Sequence, residues 1–316
     1  MRNPGQAGAP AAPYSAAMSA VESAATAATR REQRLRRVLE YIETRLDEPL
    51  DTATLAGVAA FSRFHFHRQF AALAGCTARD YLAQARLRSA AWRLAYRPRQ
   101  SVAQIALACG YGSPEAFARA FKAATGQTPS AFRRQPDWPT WQAREDALRH
   151  IRSTHMPNPP VPSAVRIVDF PATRIALLVH RGDPQRLGES IRRFIAWRRA
   201  RHLPPSAAAT YNLLYDDPAA VPADEFRLGL AVATTREITT ADDGLVAAWI
   251  PAGRCAVLRH RGDDDGLGDT LRCLYADWLP DSGEALRDHP PFLQRLAAFP
   301  DVAADAACTD VFLPLR

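Results

Sequence analysis

Two arginines occupy the same place in two stretches of similar sequence. Each of them, Arg68 and Arg119, lies between two phenylalanines that are four residues apart. Phenylalanines at this spacing share one face of a helix, so each arginine points away from an apolar stripe. A guanidinium on the opposite face can pair with both acceptors of a guanine in the major groove. The pattern therefore favours two helices that contact DNA over a plain helical bundle.

The elements that would position these arginines are also repeated. From Ser62 and Ser113 onward the two copies keep a spacing of 51 residues, whereas upstream of the serines the spacing is 50. A length change confined to a turn predicts two helix-turn-helix units, with one extra turn residue, Gly112, in the second. Both serines stand where a helix N-cap is required, and Pro114 suits the first helical position.

Basic residues are concentrated in the part of the chain that carries this repeat. Residues 31–152 hold 20 Arg and Lys against 11 Asp and Glu, a net charge of +9, while residues 153–316 hold 18 against 21, a net charge of −3. A basic segment that coincides with a repeated helix-turn-helix indicates a polyanionic partner. Five cysteines without CxxC spacing favour a reduced, cytoplasmic protein.

The remaining composition suggests where the domains begin and end. Residues 1–30 are rich in Ala, Pro, Ser and Thr, and we expect a disordered tail there, with Met18 as an alternative start. No apolar run is long enough to cross a bilayer, and the tail lacks the apolar core of a signal peptide. We place the DNA-binding domain at 31–135, a linker at 136–163 that includes the proline-rich run 156–162, and a second domain at 164–316.

The second copy of the motif is long and specific. It comprises Ile105-Ala106, Gly110-Tyr111, Ser113, Phe117, Arg119, Phe121-Lys122, Gly126, Thr128-Pro129 and Phe132-Arg133. With these residues, the stretch from about Arg34 to Arg134 resembles the DNA-binding domain of AraC/XylS-type transcription regulators. The resemblance implies an all-α domain in which one long helix, here about Ala78 to Tyr96, joins two helix-turn-helix units.

The resemblance also implies which residues contact double-stranded DNA. By position in the motif they are Arg63, Phe64, His67 and Arg68 in the first unit, and Ser113, Glu115, Arg119 and Lys122 in the second. Arg68 and Arg119 would pair with guanine, and Glu115 would accept a hydrogen bond from cytosine. Phe64 would pack on a thymine methyl group. Arg63, Ser113 and Lys122 would hold phosphates.

The second half of the chain has its own repeat, at an offset of 80 residues. Residues 171–183 match residues 251–263, and each copy contains a β-rich run, a Gly-Asp turn and an amphipathic helix. Further strands are predicted at 209–215, 226–233 and 309–315. The repeat predicts an α+β domain of two pseudo-symmetric β-α-β-β modules. His180 and His260 occupy equivalent positions, and we expect a structural role for both.

This half also resembles a known family. The matching pieces are Tyr215-Asp216-Asp217-Pro218, Ile250-Pro251-Ala252-Gly253, His260-Arg261-Gly262, residues 278–283 and residues 309–315. From about Val165 onward the chain resembles the DNA gyrase inhibitor-like (GyrI-like) effector-binding domain. The resemblance implies a small effector, often cationic or aromatic, bound in a cleft between the modules.

Aromatic side chains suit such a cleft because they stack on rings and attract cations. Our candidates for the ligand-binding walls are Trp197, Tyr211, Tyr215, Trp249 and Tyr275. Where the family usually carries Glu-x-Tyr before the last strand, this chain has Gln294 and Leu296. We therefore expect an aromatic effector that is neutral or weakly charged.

The function expected from both halves is a sequence-specific transcription regulator whose activity a small molecule modulates, with RNA polymerase as a further partner. Two alternatives remain open: a hydrolase and a sequestering protein, either acting on a small reactive or toxic molecule through the C-terminal domain. Gln294 weighs against the hydrolase because an amide cannot serve as a general base. We expect no catalytic residues, no metal site and no cofactor.

Overall fold

The computed structural model describes residues 13–156, 160–239, 244–299 and 301–316, and the side chains of residues 13–27 and 305 lie outside it. Among these residues, the helices that precede the third strand of the sheet described below are α1 (Pro13–Glu43), α2 (Thr52–Val58), α3 (Arg63–Ala74), α4 (Ala78–Tyr96), α5 (Val102–Ala108), α6 (Pro114–Thr125), α7 (Pro129–Arg134), α8 (Trp138–His155) and α9 (Leu187–Ala200). Within these described residues, no helix is long and apolar enough to cross a bilayer.

The two helix-turn-helix units, α2–α3 and α5–α6, have equivalent helix caps. Ser62 accepts a hydrogen bond from the Phe64 amide and Ser113 accepts one from the Ala116 amide. Gly75 and Gly126 end α3 and α6 in the left-handed region, with φ of 71° and 73°. Because the same residue types start and stop the same elements, the expected duplication is confirmed.

The turns of the two units differ at one place. Ala60 and Gly110 both adopt positive φ, and the residue after each donates its amide to an equivalent carbonyl of the preceding helix. The extra residue, Gly112, therefore follows this shared turn, as predicted. Gly110 has a further constraint, because a Cβ there would lie 2.3 Å from the Leu46 carbonyl oxygen. Arg86 of α4 donates to that same oxygen at 2.8 Å and so fastens the first unit to the second.

Each unit has its own apolar core, and α4 contributes to both. One core contains the Phe66 and Phe70 pair with Tyr81 of α4, and the other contains the Phe117 and Phe121 pair; all five rings are at most 1% exposed. The predicted bounds of the joining helix, Ala78–Tyr96, agree with those of α4.

Two expected boundaries differ from the structure. Residues 13–30 form the first part of α1, whereas we expected a disordered tail over 1–30. Residues 1–12 lie outside the described residues. The expected linker over 136–163, in which we expected a short helix ending near Ile151, is largely helical, because α8 occupies Trp138–His155. Trp138 and Trp141 pack in the core of the second unit, and Leu148 and Ile151 pack in that of the first. Because its apolar side chains pack in both of these cores, α8 belongs to the DNA-binding half. Residues 157–159 of the proline-rich run lie outside the described residues.

The C-terminal half is one antiparallel sheet of eight strands: β1 (Arg166–Phe170), β2 (Thr173–Arg181), β3 (Thr210–Leu214), β4 (Arg227–Ala233), β5 (Val246–Ile250), β6 (Gly253–Arg261), β7 (Phe292–Ala297) and β8 (Cys308–Pro314). The strand order is β1-β6-β8-β7-β3-β4-β2-β5. A further helical stretch follows β6: α10 (Leu267–Arg272), a π-helical segment (Cys273–Trp278) and α11 (Leu279–Ser282).

This order is symmetric, as the sequence repeat predicts. The first module (β2, α9, β3, β4) and the second module (β6, α10–α11, β7, β8) meet where β3 pairs with β7. Each module exchanges an edge strand with the other, because β1 pairs with β6 and β5 pairs with β2. The exchange ties the modules into one sheet rather than two facing units.

The two faces of the sheet have different coverings. Helix α9 packs on one face through Phe194 and Trp197, and the π-helical segment packs on the same face through Cys273 and Leu274. The opposite face, called the open face here, carries the alternate residues of every strand. Four aromatic rings, those of Phe170, Tyr211, Phe292 and Phe312, form its apolar floor.

Candidate DNA interface and effector domain

The predicted DNA-contacting residues form two exposed sets. On α3, all four are exposed, and the Phe64 side chain is 75% accessible. The Arg63 guanidinium lies 4.8 Å from the Phe64 ring centre, so this ring is partly covered by its neighbour. A phenylalanine this exposed at the start of a helix gains nothing from the protein core. It is free to pack on a base in a groove.

On α6, the exposed face carries Glu115, Arg119 and Lys122. Ser113 is half-buried as the N-cap, where its oxygen accepts the Ala116 amide at 3.1 Å and its hydroxyl proton can still reach a phosphate. Arg68, Arg119 and Lys122 have no ion-pair partner among the residues that the structure describes. Such unneutralised cations release counterions when they meet a polyanion.

A cavity of about 380 Å³ lies between the two units. Its lining includes His67 of α3, Arg79 and Arg86 of α4, and Tyr111 of the second turn. Because His67 lines it, this cavity opens beside the exposed residues of α3.

The predicted ligand-binding residues do not come together in one place. Tyr211, Tyr215 and Gln294 lie on the open face. Trp197 lies on the helix-covered face and is buried against the core under α9. Trp249 also points away from the open face, since its neighbours Ala248 and Ile250 take that side.

Tyr275 lies in the π-helical segment, which packs on the helix-covered face. Three of the six predicted ligand-binding residues, Trp197, Trp249 and Tyr275, therefore lie away from the other three. The period of a strand or helix sets the side that each of its aromatic residues faces.

The structure adds an acid that the sequence analysis missed. Asp310 on β8 is the cross-strand neighbour of Gln294 on β7 and of Arg259 on β6. Arg259 donates from Nε and Nη2 to the two Asp310 oxygens, at 2.7 and 2.9 Å. These hydrogen bonds and the charge of Asp310 raise the pKa of Arg259. The sequence repeat carried a signal for this pair, because Arg259 stands at the position equivalent to Val179 of the first copy.

His180 and His260 have the structural role that we expected. In each, Nδ1 lies 2.9 Å from a hydroxyl of the following helix, Ser190 or Thr270. In each, Nε2 contacts the carbonyl oxygen of the aspartate three residues later, at 3.2 or 2.7 Å. Both histidines therefore fasten the Gly-Asp turn to the helix of their module.

The effector half docks on the DNA-binding half through a buried cluster of ions. Arg88 of α4 donates to Glu43 of α1 at 2.7 Å and to Asp263 of the second module at 2.8 Å. Arg152 of α8 lies 3.3 Å from Asp263 and also pairs with Asp265. The Arg88 and Glu43 side chains are 3% and 0% exposed. We call these five residues the junction cluster.

Burial and charge oppose one another in this cluster. Burial alone would raise the pKa of Asp263, but the charges of Arg152 and Arg88 outweigh it and hold the pKa below its usual value. Burial would likewise lower the pKa of Arg88, and the charges of Glu43 and Asp263 raise it instead. Arg88, Arg152, Asp263 and Asp265 each pair with an ion from the other half of the chain, and Glu43 pairs with Arg88. Removing Arg88 therefore leaves the buried Glu43 without an ion partner.

The first module docks differently. Ile191 and Ile195 of α9 pack against the core of the second helix-turn-helix unit, and Gly188 lies so close to Trp138 that a Cβ would approach its ring nitrogen to 2.4 Å. Arg192 donates to the carbonyl oxygens of Arg133 and Arg134, both at 3.0 Å. Among the described residues, this contact combines apolar packing with hydrogen bonds to backbone carbonyl oxygens.

Comparisons with known proteins match the two halves of the chain separately. Residues 55–135 match the model of a helix-turn-helix domain, and residues 163–316 match that of the GyrI-like small molecule binding domain. The chain is 33% identical over 152 residues to the probable transcriptional regulator YgiV of Escherichia coli K12, which covers 48% of this chain and 95% of that protein.

Two further proteins are each similar to about a third of the chain. The right origin-binding protein of Escherichia coli K12 is 35% identical over 112 residues, covering 35% of this chain and 38% of that protein. A solved structure of a transcriptional regulator with an AraC-type DNA-binding domain, from Chromobacterium violaceum, is 30% identical with a TM-score of 0.30, and covers 33% of this chain and 95% of that one.

Proposed function

This chain belongs to the AraC-type transcription regulators that carry a GyrI-like small-molecule binding domain, and we propose that α3 and α6 are its recognition helices. The observation that carries the proposal is the pair of exposed, unneutralised basic faces on duplicated helices that α4 holds together. Helices of this kind contact successive major grooves, about one helical turn or ~34 Å apart. RNA polymerase is a further proposed partner.

Selection of binding sites from random DNA by the purified protein tests this proposal. We expect one enriched site with two short informative segments whose centres are about 10 base pairs apart. Enrichment of a single short segment would assign DNA recognition to one unit only. Recovery of unrelated sequences would contradict sequence-specific regulation.

We further propose that effector binding is transmitted to DNA through the second module. Asp310 on β8 and Gln294 on β7 lie on the open face, and the loops after β6 and β7 both contact α4. The first of these loops holds Asp263, and the second holds Phe299, whose ring lies 4.5 Å below the Arg88 guanidinium. A shift of these strands would therefore act on the helix that joins the two recognition units.

The proposed effector is an aromatic molecule that is neutral or weakly charged and is not turned over. Gln294 supplies an amide, and both oxygens of Asp310 already accept hydrogen bonds from Arg259, so neither group is available as a general base. The similar proteins are named as transcriptional regulators, which supports a role without catalysis.

Gln294→Glu tests whether position 294 contacts the effector. A new carboxylate beside the aromatic floor should shift the preference from neutral toward cationic aromatic molecules by about 1–2 kcal/mol. A thermal-shift series with matched neutral and cationic aromatics, applied to both proteins, measures this shift. Equal responses of the two proteins to cations would remove Gln294 from the site.

A further inference from the structure

One row of residues across the open face differs between the two modules. In the first module the row is Val179, Gly229 and Leu213, which pair across β2, β4 and β3. The equivalent row in the second module is Arg259, Asp310 and Gln294, which pair in the same way across β6, β8 and β7. Two related modules thus carry apolar residues at three positions in one copy and polar residues in the other.

The fold does not need these polar residues, because the first module forms the same strands without them. Placing a carboxylate on a largely buried strand costs free energy unless it is paired. Asp310 is paired by Arg259, and its side chain is 10% exposed while that of Arg259 is 44% exposed. The Asp310 carboxylate is therefore covered by the Arg259 guanidinium, whose Nη1 group can donate to another acceptor.

The surroundings of Arg259 favour an anion. On the four strands of this half of the open face, β1, β6, β8 and β7, the charged residues of the described chain are Arg166, Arg259 and Arg261 against Asp310. The C-terminal part as a whole is acidic, so this excess of positive charge is local. Next to it lie the rings of Phe292 and Phe312, stacked with centroids 4.7 Å apart.

We propose that Arg259 determines the charge of the effector. Its guanidinium neutralises Asp310 within the protein, and its remaining N–H groups donate to the carboxylate of an aromatic acid. This inference rests on the proposed effector site of the same face, and it replaces the neutral or weakly charged effector proposed from Gln294 alone with an anionic aromatic one. An aromatic cation finds Asp310 already paired, whereas a carboxylate gains a charge-assisted hydrogen bond from Nη1. The amide of Gln294, adjacent to Asp310 in the row, can donate to the same group.

The test uses the full chain and three probes of one shape: 2-naphthoate, neutral 2-naphthamide and (2-naphthyl)trimethylammonium. Calorimetric titration of the wild type should give the order of affinity naphthoate, naphthamide, ammonium. Arg259→Val, which copies the first module, should weaken naphthoate about tenfold or more, as expected for one charge-assisted hydrogen bond. The same variant should strengthen the ammonium probe, because Asp310 becomes available.

The matched control is Arg254→Val. Arg254 lies on the same strand, alternates to the other face, and is similarly exposed at 47% with a carboxylate partner, Glu284, at 2.7 Å. Its loss should leave all three affinities unchanged. Equal effects of the two variants would contradict the proposal, and so would a wild type that prefers the ammonium probe or binds none of the three.

A second variant keeps the test decisive if Arg259→Val does not fold. Arg259→Val combined with Asp310→Gly restores the uncharged pair of the first module, and it should bind the two charged probes equally weakly. A naphthoate preference that survives in this double variant would overturn the proposal. Because none of these titrations contains DNA, their failure would leave the sequence-specific DNA binding tested above unaffected.

Discussion

The two modules of the effector domain share a fold and differ in what they contact. Both have the same strand pairing and the same histidine hydrogen bonds. The first module meets the DNA-binding half through isoleucines and backbone carbonyls, and the second meets it through the junction cluster. The second module also carries the polar row. Asp263 of the junction cluster is the equivalent of Asp183, so the two modules use one repeated position differently: Asp263 pairs with Arg88 and Arg152, and Asp183 caps the Gln185 amide.

The largest difference between the two contacts should appear when Arg88 is removed. Arg88→Met leaves Glu43 buried without its cation and leaves Asp263 with Arg152 alone, and we expect a loss of about 3–5 kcal/mol in the free energy of unfolding. The counterpart on the first module is Arg192→Met, which removes hydrogen bonds to two carbonyl oxygens and should cost about 1–2 kcal/mol. Denaturant titration of both variants measures these losses. Similar losses would mean that the two modules dock equally.

A smaller effect should separate the two equivalent aspartates. Asp263→Asn loses the ion pairs with Arg88 and Arg152 and should cost about 1.5–3 kcal/mol at pH 7. Asp183→Asn should cost at most about 0.5 kcal/mol, because Asp183 only caps the Gln185 amide and asparagine caps equally well.

The cost of Asp263→Asn should depend on pH. Because the folded protein holds the pKa of Asp263 below 3.8, the wild-type advantage is fully present above that value. It should disappear as the pH falls through the lowered pKa. Denaturant titration between pH 7 and pH 3 follows this change, and an advantage that is lost already near pH 6 would assign it to another group.

The smallest expected difference is between the two histidines. Because His180 and His260 make the same two hydrogen bonds, His180→Leu and His260→Leu should each cost about 1–2 kcal/mol. Thermal unfolding of the two variants side by side measures this. A clearly larger loss for His260→Leu would show that the junction cluster depends on the turn that His260 holds.

The local structure of the chain could be predicted from its sequence to a large extent. Caps such as Ser62 and Ser113 and the inserted Gly112 follow from residue type and spacing, which act over a few positions. The bounds of α4 followed from the family resemblance. The symmetric sheet followed from the repeat at 80 residues. These features need no knowledge of distant partners.

The contacts between the halves could not be predicted in this way. Arg88 and Asp263 are 175 residues apart, and each looks like an ordinary surface charge when only its neighbours are known. The packing of α8 against both helix-turn-helix cores likewise depends on residues far away in the chain. The predicted ligand-binding residues lie on both sides of the sheet, because the side of each depends on the period of its strand or helix. The Arg259 and Asp310 pair required the register of β6 and β8.

The DNA-binding claim is tested most directly by exchanging one arginine and measuring sequence preference. Arg119→Ala should weaken binding to the selected site by about 1–3 kcal/mol and relax the preference at one base pair. Lys122→Ala, one helical turn away, should weaken all sequences alike and reduce the salt dependence by about one unit. If Arg119→Ala left both the selected sequence and its affinity unchanged, α6 would not be a recognition helix and the account would be wrong.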